Sequence, residues 1–106
     1  MLARNFRLKK NDMDRIYKKG QRVAQDLFLV RYLPNRAGHS RFSVVISKKV
    51  LAKAHDRNHA KRQIYQLIWQ AKDLWQTKSL DIALVLKKYQ EEKISADINY
   101  ILGQIK

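Results

Sequence analysis

The sequence predicts an α+β fold, a two-layer sandwich of a mixed central sheet and helices, and three observations predict it. Two segments alternate apolar and polar residues as half-buried strands do, on either side of the chain's one clear turn cluster, Pro34 to Ser40. The branched apolar run from Leu80 to Leu86 has the length and composition of a central strand. Three further segments repeat apolar residues at helical intervals, beginning after Asp12, Asp56 and Gln90.

In chain order, residues 1–10 read as an extended basic lead-in, with Phe6 and Leu8 alternating with Arg7 and Lys9. Positive charge at the start is followed by no apolar region, so no signal peptide is expected. Asn11-Asp12 are placed to cap a short helix from Met13 to Lys19, ended by Gly20 at the C′ position, with Met13, Ile16 and Tyr17 on its apolar face. Val23 to Leu33 reads as a strand, Phe28, Val30 and Tyr32 alternating with Leu29, Arg31 and Leu33. Arg41 to Ser47 reads as the next strand, returning antiparallel through the turn cluster, with Phe42, Val44 and Ile46 on one face. In that hairpin Arg31 and Arg41 become open-face neighbours where the register allows.

A long helix follows, with Asp56 as candidate N-cap and an end near Gln76 to Ser79. At about 100° per residue, Ile64, Leu67, Ile68, Ala71 and Trp75 form its core stripe with Ala60 beside it. Asn58, Arg62, Gln66, Trp69 and Asp73 form the far side, flanked by His59 and Lys61. The central strand comes next, with Ile82, Leu84 and Leu86 on one face and Ala83 and Val85 on the other. A last helix, Glu91 to Ile105, carries Ile94, Ile98, Ile101 and Ile105 at helical spacing and acids at its start, as the dipole favours. The order is α-β-β-(β)-α-β-α, the optional strand coming from the first long extended segment. A strand–helix–strand unit of this kind ordinarily crosses right-handed.

The 106 residues suffice for one domain, residues 1–106, with a single modest core. Its charge is uneven: 23 Lys and Arg against 9 Asp and Glu give +14, and residues 1–62 alone carry 17 bases and 4 acids. A basic excess concentrated in one part is the electrostatic footprint of a nucleic-acid binder. There is no cysteine, hence no disulfide or thiolate metal site. No apolar run approaches the roughly 18 residues of a membrane span, and the cytoplasm is the expected compartment.

The charge gathers in Ser47-Lys48-Lys49-Val50-Leu51-Ala52-Lys53-Ala54-His55-Asp56-Arg57-Asn58-His59-Ala60-Lys61-Arg62. Cations in the first turn of a helix oppose its dipole by roughly 0.3–1 kcal/mol each, and a bound phosphate relieves both the free N–H groups and the side-chain charges. A solvated helix face would interleave both signs at i,i+4, yet Asp56 is the sole acid between Arg41 and Arg62. Binding of a polyanion is therefore favoured over a merely solvated face.

Ser47-Lys48-Lys49 followed by Arg57-Asn58-His59-Ala60-Lys61-Arg62 resembles the signature of the bacterial ribonuclease P protein subunit, a strand ending in Ser/Ala-Lys-Lys and a helix opening Arg-Asn-Arg-x-Lys-Arg. His59 stands for that family's second arginine, Ala60 for a large aliphatic, Tyr65-Gln66 for Arg-Glu, and Ser43 for a frequent glycine. The resemblance implies a left-handed β-α-β crossover and a role in 5′ maturation of precursor tRNA, with magnesium-dependent hydrolysis performed by the RNA subunit. It implies RNA contacts by Lys48, Lys49, Lys53, Arg57, Asn58, His59, Lys61 and Arg62. It also implies a cleft for the single-stranded precursor-tRNA leader lined by Met13, Tyr17 and Arg31. The expected partners are ribonuclease P RNA and precursor tRNA, with no membrane, no small-molecule substrate and no tightly bound cofactor.

Catalytic chemistry of the chain's own is not visible. His55 and His59 share a helix face at metal-ligand spacing but lack a third ligand, the acids are scattered singly, and no glycine-rich phosphate loop or serine elbow exists. In the RNA-binding reading His59 is a pH-dependent substitute for a fixed cation. Two rival readings stay open: another RNA-binding module, such as a ribosomal or translation-associated protein, and a DNA-binding protein reading bases through the Asn58/Arg62 face.

Overall fold

The structure, a computed structural model, describes residues 6–105; Met1 to Asn5, which open the basic lead-in, and Lys106 lie outside it. Its elements are α1 (Lys10–Lys19), β1 (Gln21–Ala24), β2 (Phe28–Pro34), β3 (Arg41–Val45), α2 (Ala54–Gln70), β4 (Leu80–Leu86) and α3 (Glu91–Gln104), with a 3₁₀ turn at Lys72–Leu74. The α+β class and the order with the optional strand are both observed.

The sheet order is β1-β2-β4-β3. β4 is central, as its apolar run requires, antiparallel to β2 and parallel to β3. The β2–β3 hairpin expected from the turn cluster does not form. β2 and β3 do run in opposite directions, but β4 enters between them and buries almost every side chain it has. Arg31 and Arg41 consequently are not neighbours: Arg31 lies opposite Ala83, and Arg41 opposite Asp81. The single strand expected over Val23 to Leu33 is instead a tight hairpin. Gln25 N–H donates to Phe28 O at 2.9 Å, and the N–H of buried Leu27 donates to the Asp97 carboxylate at 3.0 Å. β1 then folds back on β2 with Val23 opposite Val30.

One sheet face carries Phe28, Val30, Phe42, Val44, Ile82, Leu84 and Leu86, all buried. Onto it pack Ala60, Ile64 and Ile68 of α2 and Ile94, Ile98, Ile101 and Leu102 of α3, so the two helical stripes and the alternating strands close one core. α1 lies across part of the opposite face through Ile16. Asp12 is not the N-cap residue of this helix, which begins at Lys10 with Lys9 at the cap; it caps from the third position, closing a capping box by accepting the Lys9 N–H at 3.3 Å. Gly20 ends the helix with an extended backbone rather than a left-handed one. Glycine is needed there for space, because a Cβ would lie 2.5 Å from the Ile16 carbonyl oxygen and 3.1 Å from that of Tyr32.

The outer edge of β3 is covered by the lead-in: Arg7 bridges to Phe42, and Leu8 N–H donates to Phe42 O at 2.8 Å. On the same edge Val44 N–H donates to the Tyr65 hydroxyl at 3.2 Å. Phe42 and Val44 thus turn their backbone polar groups outward and their side chains toward α2. With α2 in front and β3 running upward, L-chirality then places the outer edge on the right and β4 on the left. The β3–α2–β4 crossover is left-handed, against the general rule.

Candidate nucleic-acid interface

After β3, the Ser47 carbonyl accepts the N–H groups of Val50 and Leu51 at 3.1 and 3.2 Å, a turn that leaves Lys48 and Lys49 exposed at its tip. Arg57 reaches back from α2 and donates to the carbonyls of Leu51 and Ala52 at 2.9 and 2.8 Å, fastening the loop to the helix. The cap position belongs to Lys53, not Asp56, which falls in the first turn. Because α2 starts at Ala54, Arg57 and Asn58 belong to its second turn, and the expected opposition to the dipole is correspondingly smaller.

Further along α2, Asn58, His59 and Arg62 are exposed and Lys61 half-buried. Arg7 comes alongside from the β3 edge, and Arg7, Asn58, Lys61, Arg62 and Tyr65 line one shallow groove. Burial pushes the Tyr65 phenol above its ordinary pKa, opposed by its bond with Val44 and by the Arg7 charge, so the groove floor is neutral and its walls cationic. His59 faces the other flank, in a depression shared with Arg62, Gln63, Gln66 and Glu91. Arg62 borders both.

None of Arg7, Lys48, Lys49, Lys53, Arg57, Lys61 and Arg62 has an ion pair among the described residues. The pairs that form are at Arg15, Arg41, Lys88 and Lys93. With only Asp56 and Glu91 near them, and neither in an ion pair with them, these cations leave excess positive potential, which an anionic backbone satisfies.

A second surface lies on the α1 face of the sheet. Asp81, fully buried in β4, accepts from Arg15 of α1 at 2.6 Å, from Arg41 at 2.8 Å through each of two nitrogens, and from Asn35 at 2.7 Å. The Asp81 bond raises the Arg41 pKa, with burial opposing. Asp12 and Arg15 fall on one flank of Ile16, and Met13 and Tyr17 on the other, at about 100° per residue. The Met13/Tyr17 flank looks over the rest of the sheet, where Leu29, Val45 and Val85 form one half-buried row, and half-buried Arg31 and Ser43 flank the fully buried Ala83 in another. Arg31 donates to the Tyr17 carbonyl at 3.2 Å, with its guanidinium carbon 5.9 Å from the Tyr17 ring centre. The three expected cleft residues are therefore on one side of α1, with Tyr17 42 % exposed.

Two residues of these surfaces escape sequence reasoning. Arg7 was visible as part of an alternating basic segment, but nothing in it says which strand it follows. Arg22 stands directly opposite Arg31 across β1–β2, a like-charged pair that is unfavourable without an anion and that only the unforeseen hairpin creates. Among the described residues no group of three or more His, Cys, Asp or Glu is placed to hold a metal ion, and no helix is long and apolar enough to cross a membrane. What the two surfaces can do chemically is neutralise and orient anions.

A family model described as Ribonuclease P matches residues 2–106. The Ribonuclease P protein component of Legionella pneumophila (strain Corby) is 42% identical over 55 residues, 52% of this chain and 48% of that protein. That of Synechocystis sp. is 42% identical over 69 residues, 63% of this chain and 56% of the relative. The aligned segments thus span about half the length of these relatives. Among solved structures, the Staphylococcus aureus RNase P protein superposes with a TM-score of 0.80 at 32% identity, covering 92% of each chain. The RNase P protein from Thermotoga maritima gives 0.84 at 24% identity over 94% of this chain and 97% of the other, a likeness of fold.

Proposed function

The chain belongs to the ribonuclease P protein family, and from that premise we propose that it is the protein subunit of ribonuclease P, working in the cytoplasm on the 5′ maturation of precursor tRNA. The loop lysines Lys48, Lys49 and Lys53 and the α2 residues Asn58, His59, Lys61 and Arg62 contact the phosphates and riboses of the catalytic RNA, joined by Arg7. Arg57 contributes its charge while holding the loop. The 5′ leader of the precursor lies in the cleft between α1 and the open part of the sheet, against Met13, Tyr17 and Arg31, with Arg22 beside them.

The observation that carries this reading is the absence, among the described residues, of ion pairs at those α2 and loop cations, while the ion pairs that form are made by Asp12, Asp26 and Asp81 elsewhere. The protein supplies no nucleophile. It neutralises two polyanions and holds them in register for an RNA subunit that uses magnesium; no metal ligand is assigned to this chain. The testing experiment is reconstitution with a bacterial ribonuclease P RNA at low magnesium, where removal of the precursor-tRNA leader is expected only with the protein added. Cleavage indifferent to the protein would refute the proposal. If six to eight phosphates are neutralised, log K against log[salt] slopes at about −4 to −7.

A further inference from the structure

Beyond Arg62 the exposed side of α2 changes character. Trp69 lies two turns further along the same face, about 10 Å up the helix axis, and is 41 % exposed. Its position is fixed from behind. Phe6 and Trp75 stand 6.0 and 6.3 Å from it, centre to centre, and Trp75 is itself buried with its indole N–H donating to Ile68 O at 2.8 Å. Phe6 is the residue before Arg7, so one short segment supplies both a wall of the cationic groove and the backing of the indole. Over the ring sits the Lys72 ammonium, 4.9 Å from its centre and without an acid partner among the described residues.

We propose that Trp69 is a stacking platform for an unpaired base of the bound RNA, at the end of the groove lined by Arg7, Asn58, Lys61 and Arg62, with Lys72 taking the phosphate next to that base. The inference rests on the RNA-binding reading of α2 and adds a base contact to it. Three features select a nucleobase over other occupants. The indole is 41 % exposed and backed by Phe6 and Trp75, and the Lys72 ammonium over its ring, on a flexible stem, swings aside onto the phosphate when a base stacks. Cations flank it on both sides along the path of a polyanion, which would repel a basic peptide. And the platform continues the groove. A strand whose backbone follows Asn58 and Arg62 reaches Trp69 after roughly two nucleotides, the sequence-tolerant arrangement of stacked aromatic and basic groove used for single strands. Asp73 is the one acid between Arg62 and Asp81, and it closes the path beyond Lys72.

The test uses the full chain, an in vitro transcribed bacterial ribonuclease P RNA, and Trp69→Leu and Trp69→Phe variants across a salt series. Leucine keeps apolar bulk against Phe6 and Trp75 but has no π face; phenylalanine keeps one. The leucine variant should bind about tenfold more weakly with an unchanged salt slope, and the phenylalanine variant within about threefold of the parent. The fluorescence that disappears in Trp69→Phe should be quenched in the parent when RNA saturates it. A folded leucine variant that binds like the parent overturns the inference. Should that variant lose its cooperative melt, an unquenched Trp69 signal at saturating RNA overturns it equally. If the parent itself fails to bind this RNA, the function proposed above falls first; tight binding with an indifferent Trp69 removes the stacking platform alone.

Discussion

Asp81→Asn would remove one negative charge at the point where α1 is fastened to the sheet. The carboxylate is fully buried and accepts four hydrogen bonds, two from Arg41 and one each from Arg15 and Asn35. An asparagine keeps one acceptor oxygen but turns an NH₂ group toward a guanidinium or toward the Asn35 amide, donor against donor. Breaking a buried pair by removing one partner costs about 3–5 kcal/mol. Arg41 is 22 % exposed and retains Asp12 at 3.5 Å, which puts its share near the lower end. Arg15 is 43 % exposed and adds less than about 1 kcal/mol, since water screens it. The expected loss is about 3–4 kcal/mol, a large part of the 5–15 kcal/mol typical of a domain. In a chain of this size that lowers the melting temperature by roughly 12–30 °C. Urea denaturation followed by circular dichroism measures it as a shifted midpoint at constant m-value. Asp12→Asn is the control, because its single long contact with Arg41 should be worth under about 1 kcal/mol. If Asp81→Asn also stays under about 1 kcal/mol, the buried cluster does not anchor α1.

Further outcomes follow from the same geometry. Tyr65→Phe leaves the Val44 N–H without its acceptor, and urea denaturation should show about 1–2 kcal/mol of destabilisation. Because burial holds the Tyr65 phenol above its ordinary pKa, the unfolded chain ionises first; parental stability should fall as pH rises beyond about 10, less steeply in Tyr65→Phe. Lys61→Ala with Arg62→Ala should weaken binding to ribonuclease P RNA and reduce the magnitude of the salt slope by about 2, whereas an unchanged slope in filter binding would place both side chains off the RNA. Tyr17→Ala and Arg31→Ala should reduce affinity for precursor tRNA in the reconstituted enzyme while leaving mature tRNA binding unaltered, and equal losses on both would empty the cleft of its leader.

Most elements are legible because they are locally over-determined, the exceptions being β1, which reads as one strand with β2, and the end of α2, which falls at Gln70 and not near Gln76 to Ser79. Leu80 to Leu86 has no polar face to offer solvent except Asp81, which the fold buries under two arginines. The α2 stripe of Ala60, Ile64 and Ile68 has one orientation that closes a core. What the residues do not carry is pairing. Gln25-Asp26 holds neither glycine nor proline, so the β1–β2 hairpin leaves no turn signal; its bend is held from outside, by Asp97 seventy positions away in sequence. The Pro34 to Ser40 turn gave a strong signal that misled, since the same reversal serves two strands that pair and two that a third separates. Site geometry divides in the same way. The α2 cations could be phased on a helix and were found on the expected side, whereas Arg7 and Arg22 depend on strand neighbours and came to light only in the fold.

The edge position of β3 is what joins the two surfaces. Its outer edge takes Arg7 and the Tyr65 hydroxyl, its inward residues meet α2, its opposite face carries Arg41, Ser43 and Val45 toward α1, and its end opens into the lysine loop. Had the crossover been right-handed, β4 would occupy that edge and Arg7 would have no strand to follow. The described chain measures 35 × 27 × 25 Å, so on the proposed function an RNA on α2 and a leader in the α1 cleft would lie about three Debye lengths apart at physiological salt, where their direct repulsion is largely screened. A net charge of +14 with the bases gathered in residues 1–62, which build most of both surfaces, lets each proposed RNA contact be neutralised by its own nearby cations.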